Sequence, residues 1–341
     1  MTSADLENAN RLGQKESGDG IDARRERMRE GDYVHARICR FDPTRDAKPR
    51  YDSYKVPYSR LMRVLDVLNY ISEELEEDLA YRWFCGVKKC GTCAVRVNGR
   101  EVLACWEAAE PEMIIEPLRH APVVRDLVVD RTDYERLVTS MVPWLERTEP
   151  YSGFPERLSH LDMKPVATAL DCLSCLACFS ACPVLDLGAE TNFSGPAPLV
   201  QFAQVALDPR DGMNRGQMSV DLAGIFNCVS CYKCEEACPV GIPIVSEIIE
   251  PLKAKAYRQN ESTSRHSKAF ESIIFARGKI DPSELVLRTQ GLRAAARIVR
   301  ILKLLFRGKI NPIQTLFGKA MPDLSFVRRI FEITHRGPAD K

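Results

Sequence analysis

The stretch "CGVKKCGTCAVRVNGREVLAC", residues 85–105, places four cysteines around two short strand-like segments. Cys85, Cys90 and Cys93 share a loop whose Gly86, Gly91 and Thr92 are small enough to let backbone N–H groups approach sulfur. "CAVRV" and "EVLAC" then flank Asn98-Gly99, a strong hairpin signal, so Cys105 returns beside the loop. Working outward, "YVHARICRF" (33–41) alternates apolar and polar residues as a half-buried strand does, and "YDSYKVPYS" (51–59) reads as its hairpin partner. In "RLMRVLDVLNYISEEL" (60–75) the apolar residues Leu61, Val64, Leu65, Val67, Leu68 and Ile71 recur at helical spacing. These elements predict a small α+β domain over 33–125.

The spacing C-x4-C-x2-C-x11-C is the plant-type ferredoxin arrangement for a 2Fe-2S cluster, with Cys85, Cys90, Cys93 and Cys105 as ligands. A zinc loop is the bland alternative, but zinc sites more often pair two C-x2-C knuckles. Thirteen cysteines are present, and all but Cys39 fall into three groups of four. The second group, Cys172, Cys175, Cys178 and Cys182-Pro183, spells C-x2-C-x2-C-x3-C-P; the third, Cys228, Cys231, Cys234 and Cys238-Pro239, repeats it. In the bacterial two-cluster run the fourth cysteine crosses to the other cluster. That rule assigns Cys172, Cys175, Cys178 and Cys238 to one 4Fe-4S cluster and Cys182, Cys228, Cys231 and Cys234 to a second. Three thiolates three residues apart suit the separate irons of a cubane better than one tetrahedral ion.

Residues 125–147, 156–170, 197–207 and 244–258 read as helices, so an all-helical domain is expected over 126–260, its second half repeating the cysteines of its first. The leader, 1–32, is polar and expected to be disordered; it has no apolar h-region and is rich in Asp and Glu, against a secretory or transit signal. Cytosolic thiols stay reduced, which again points to metal. No run of about 18 apolar residues occurs. From Pro251 onward 19 Lys and Arg face 7 Asp and Glu, net +12, on a body of net −11. In this tail, 261–341, Arg293, Arg297, Arg300 and Arg307 form a basic helical stripe opposite Leu292, Ile298, Val299, Ile301, Leu302, Leu305 and Phe306. Such a helix suits a partner, an anionic membrane surface or its own core. Little aromatic interleaving argues against nucleic acid. Lys88 and Lys89, between cluster cysteines, read as solvated or as tuning a cluster. The five histidines form no close pair, Cys39 reads as a core residue, and no glycine-rich nucleotide fingerprint appears, so substrate chemistry is expected on another chain.

With "RFDP" (40–43), "VLDVLNYI" (64–71), "CGTCAVRVNG" (90–99), "LAC" (103–105) and "VVRDLVVD" (123–130), the order of the three motifs resembles the iron-sulfur subunit of succinate dehydrogenase and fumarate reductase, over roughly residues 33–255. The resemblance implies a β-grasp ferredoxin domain, a two-cluster helical domain and an electron-relay role. It also implies an FAD flavoprotein partner, a membrane anchor or cysteine-rich acceptor subunit, and a cytoplasmic location, peripheral on the membrane face. The chain departs from the family pattern in its third group, where most members carry only C-x5-C-x3-C-P and a 3Fe-4S cluster. Cys231 is the extra thiol, and it implies a complete 4Fe-4S cubane of lowered potential. Val229 stands where the family has a quinone-site histidine, and "VLDLG" where it has a tryptophan, which puts the usual quinone site in doubt. The pattern is also similar to the small iron-sulfur subunit of heterodisulfide reductases.

Overall fold

The computed structural model describes residues 28–76, 78–151, 153–259, 265–290 and 320–335. The chain divides into two compact units between Ala254 and Lys255.

In the first unit, strands β1 (Tyr33–Arg40), β2 (Arg50–Pro57), β3 (Ala94–Val97), β4 (Arg100–Leu103) and β5 (Glu112–Glu116) form one sheet in the order β2-β1-β5-β3-β4. The expected hairpins are present, β1 with β2 and β3 with β4. Alternation puts Val34, Ala36 and Ile38 of β1 into the core. Unforeseen is β5, which runs parallel to β1 with His35 opposite Glu112 and joins the two hairpins. Helix α1 (Val64–Tyr70) buries Val64, Leu65, Val67 and Leu68, and a π-helical turn over Ile71–Leu75 continues it. Its N-terminus is closed by Asp66, whose carboxylate accepts the Arg63 N–H at 2.7 Å.

The expected helix over 125–147 is corrected by the structure. β6 (Val123–Arg125) and β7 (Val128–Val129) make a small hairpin, and helix α2 spans only Thr132–Ser140. The cause is tertiary. Asp126 sits in the left-handed region (φ 45), and its carboxylate accepts the N–H of Phe41 and of Ala80, both at 2.9 Å. The buried Arg40 Nε lies 3.1 Å from the same carboxylate. These bonds hold a turn where local periodicity favours a helix. Past α2, Val142 is left-handed (φ 53), and the buried Arg215 collects the carbonyls of Met141, Val142 and Trp144 at 2.7–3.0 Å. No helix can continue through them.

Helices α3 (His160–Leu170), α4 (Ala177–Ser180), α5 (Pro196–Ala206), α6 (Arg215–Asp221), α7 (Lys233–Glu236) and α8 (Glu250–Gln259) follow, with a 3-10 segment at Pro183–Glu190. Ser159 caps α3 by accepting the Asp162 N–H at 3.1 Å. α5 is the hub: buried along almost its whole length, it packs against α2, α3, α4 and α6. The expected helix at 244–258 opens with a π-helical stretch, Ile244–Ile249. There the Glu235 carboxylate accepts the N–H groups of Val245 and Ser246 at 2.6 and 2.9 Å.

In the second unit α9 (Arg265–Arg277) packs on α10 (Pro282–Gln290) and α11 (Leu324–His335), with Phe275 edge-on to Phe331 at 5.8 Å. The basic stripe at Arg293–Arg307 and most of the leader lie outside the described residues. Among the described residues no helix is long and apolar enough to cross a membrane.

Candidate metal centres

The first cysteine loop is turned by three left-handed residues, Gly86 (φ 67), Lys88 (φ 57) and Gly91 (φ 70). This winding aims backbone N–H groups inward, and Cys85 Sγ accepts from Val87, Lys89 and Cys90 at 3.4, 3.3 and 3.4 Å. Those donors hold the Cys85 thiol down at about 6. Across the site the Cys93 thiol is pushed up to about 12 by burial, with Cys105 and Cys90 as electrostatic neighbours. The two shifts have opposite causes: N–H donors favour the thiolate at Cys85, whereas burial disfavours it at Cys93 unless a cation compensates. The Lys88 ammonium lies over the Trp106 ring at 5.4 Å, while Lys89 contributes its backbone N–H.

The second and third loops share one backbone conformation. Ser174 and Leu176 are left-handed at φ 51 and 66; Ser230 and Tyr232, at the same offsets, take φ 51 and 64. Each loop leads into a four-residue helix, α4 or α7, and these two helices pack on each other. The repeat visible in the sequence only as cysteines is thus a repeat of conformation. Each fourth cysteine lies with the opposite group: Cys238 neighbours Cys172, Cys175 and Cys178, while Cys182 neighbours Cys228 and Cys231 and also interacts with Cys234. Burial pushes Cys175 up to about 11 and Cys234 to about 12, and raises Cys172, Cys178 and Cys182. Cys231 is the exposed member. Among the described residues no group of three or more His, Cys, Asp or Glu side chains is placed to hold a metal ion.

The three loops touch in series. A Cβ on Gly91 would stand 2.5 Å from the Leu173 carbonyl oxygen and 2.9 Å from Cys175 Cβ, so the first loop lies directly on the second. Cys178 has Cys234 and Cys238 as electrostatic neighbours and its helix α4 packs on α7, which joins the second to the third. Ser180, fully buried in α4, accepts the Arg119 N–H and donates to Glu101 of β4, both at 2.9 Å, tying the sheet to the helix that carries Cys178. Sequence reasoning did not single out the polar residues that brace the loops. Tyr134 and Gln201 meet Ser174 beside Cys172, and Lys253 and Glu250 meet Ser230 beside Cys228. The one available signal was the equivalence of the two serines, each two residues past the first cysteine of its loop.

Two family models match in tandem, a 2Fe-2S iron-sulfur cluster binding domain over residues 35–136 and a 4Fe-4S dicluster domain over 168–242. The fumarate reductase iron-sulfur subunit of Mycobacterium tuberculosis is 32% identical over 219 residues, 62% of this chain and 88% of that protein. The chain belongs to the succinate dehydrogenase/fumarate reductase iron-sulfur subunit family. A member of the Mycobacterium smegmatis Sdh1 complex in its apo form has a similar structure, with a TM-score of 0.62 and 27% identity, covering 67% of this chain and 98% of that one. The fumarate reductase (CoM/CoB) of Methanothermobacter marburgensis includes a polypeptide that is 32% identical over 246 residues. That match takes in 72% of this chain but 49% of the relative, so the chain spans about half the length of the first curated relatives it matches.

Proposed function

We propose that this chain is the electron-relay subunit of a succinate dehydrogenase or fumarate reductase-type oxidoreductase and performs no substrate chemistry itself. Cys85, Cys90, Cys93 and Cys105 hold one 2Fe-2S cluster in a β-grasp domain, 33–125. Cys172, Cys175, Cys178 and Cys238 hold one 4Fe-4S cluster in a helical domain, 126–260, and Cys182, Cys228, Cys231 and Cys234 hold the second; the basic tail is 261–341. Bound clusters supply one-electron acceptors. The protein's own part is to bury the thiols, donate N–H groups to sulfur and keep the three sites adjacent. The observation that carries this reading is the serial contact of the loops, Gly91 on Leu173 and Cys178 beside Cys234.

The first loop is surrounded by exposed Trp83, Phe84, Val87 and Trp106, a surface suited to an FAD flavoprotein subunit. At the other end Cys231 is exposed beside Val229 and Tyr232, where a membrane anchor or a cysteine-rich subunit completes the path. The assembly then sits peripherally on the cytoplasmic face of a membrane. Purified anaerobically from its native host, the complex is expected to contain about ten irons and equivalent acid-labile sulfide per copy of this chain. It is also expected to bring down a flavoprotein that binds succinate or fumarate. Stoichiometric zinc without sulfide would overturn the reading in favour of a zinc-stabilised scaffold. A second reading, a thiol-linked complex like heterodisulfide reductase or the CoM/CoB enzyme, is favoured by Cys231. Reduction by a dithiol and not by a quinol distinguishes it.

A further inference from the structure

The two repeated loops are braced by residues of different charge. Ser174 Oγ accepts from the neutral amide Gln201 Nε2 at 3.0 Å. Its counterpart Ser230 accepts from Lys253 Nζ at 2.9 Å and donates to Glu250 Oε1 at 2.5 Å. The same ammonium donates to the Cys228 carbonyl oxygen at 3.1 Å and to Glu250 Oε1 at 3.1 Å. Lys253 is only 17% exposed, whereas the nearby Lys233–Glu236 pair is above 60% exposed on both sides. Solvent therefore screens Lys253 much less than a surface lysine.

We propose that Lys253 sets the reduction potential of the cluster held by Cys182, Cys228, Cys231 and Cys234, with Glu250 opposing it. The inference rests on the functional reading above. Taking up one electron adds a unit of negative charge to a site already ringed by four thiolates, one more than a three-cysteine site carries. A cation fixed on the ligand loop favours that reduced state, and a carboxylate beside it disfavours it. Lys253 thus offsets the charge that Cys231 adds. At Ser174 the equivalent position is taken by the neutral amide of Gln201. The same cluster type is thereby given two different electrostatic settings within one repeat.

The test is a redox titration of the intact complex followed by electron paramagnetic resonance, comparing Lys253→Met, Lys253→Arg and Glu250→Gln. Lys253→Met is expected to lower the equilibrium constant for reducing this cluster about tenfold, a shift of about 59 mV to more negative potential for one electron. Glu250→Gln shifts it the opposite way, and Lys253→Arg leaves it near the wild-type value. The other two clusters keep their midpoints. Shifts of the same sign for the Met and Gln variants, or no shift in fully loaded protein, overturn the inference, since a purely structural brace has no reason to give opposite signs. Should Lys253→Met lose the cluster, the Gln and Arg variants still decide the matter. Absence of any reducible cluster at this site in wild-type protein would instead sink the functional reading itself.

Discussion

Replacing Gly91 by alanine tests the contact on which the serial arrangement depends. Two penalties apply. The backbone is left-handed at φ 70, which costs an L-residue about 1–2 kcal/mol. The new methyl also meets Leu173 O at 2.5 Å and Cys175 Cβ at 2.9 Å, below any ordinary carbon contact, and overpacking of this kind costs about 1–3 kcal/mol. Gly86 provides an internal reference. It lies in the same loop at φ 67, but a Cβ there meets nothing within 4 Å, so Gly86→Ala bears the conformational penalty alone. Equilibrium urea unfolding of the anaerobic protein, followed by tryptophan fluorescence, should place Gly91→Ala below Gly86→Ala by about 1–3 kcal/mol. Electron transfer from the first centre to the second should slow in Gly91→Ala, since the loops must separate to admit the methyl. Equal stability of the two variants would refute the close approach and, with it, the geometric basis for the relay.

Cys231→Ser removes the exposed thiol of the third group and is expected to produce a 3Fe-4S signal in the oxidised protein, with iron content falling by about one per chain. A strong 3Fe-4S resonance in anaerobic wild-type protein would contradict the role given to Cys231. His120 stacks edge-on against Phe179 at 6.1 Å, and burial lowers its pKa below the usual 6.5. The unfolded chain therefore binds the proton first. Stability from this group is present above about pH 6.5 and is lost as the pH falls below it, and His120→Phe should flatten the thermal midpoint against pH in that window. Arg215 and Asp211 form a 2.9 Å pair with both side chains fully buried. Arg215→Met strands the carboxylate and three carbonyls and should destabilise by about 3–5 kcal/mol in denaturant unfolding. Adding Asp211→Asn should recover part of that loss, and strict additivity would argue against their coupling.

The cysteine spacings carried most of the candidate site, because cluster ligation imposes short, fixed separations that survive in one dimension. The two hairpins were legible for a similar reason: period-2 alternation and the Asn98-Gly99 turn are local signals. Where the reading failed, the determinant was distant in sequence. β5 is a strand because β1, some seventy residues earlier, offers it a parallel edge. The helix expected from residue 125 gives way because Asp126 answers to Arg40, Phe41 and Ala80. Gly91 is legible as a small residue, yet its meaning depends on Leu173, which only the folded chain brings near. Lys253 looks like any helical lysine until Ser230 and the Cys228 carbonyl are placed beside it.

The exchange of fourth cysteines between the two repeated loops has a consequence for how the protein is made. On the proposed assignment, with Cys238 joining Cys172, Cys175 and Cys178, and Cys182 joining the later group, neither half of the repeat contains a complete ligand set. A ribosome that has delivered only the first half presents three thiols and a stray fourth, so one cubane has its full ligand set only once residue 234 has emerged and the other only at residue 238. Once both proposed clusters are seated, each closes a long loop of chain much as a covalent cross-link does, and the loop from Cys182 to Cys228 lies wholly inside the one from Cys178 to Cys238. On that assignment, loss of one cluster loosens the chain around both, and damage at the exposed Cys231 is expected to lower the stability of the whole helical domain and not merely to dim one step of the relay.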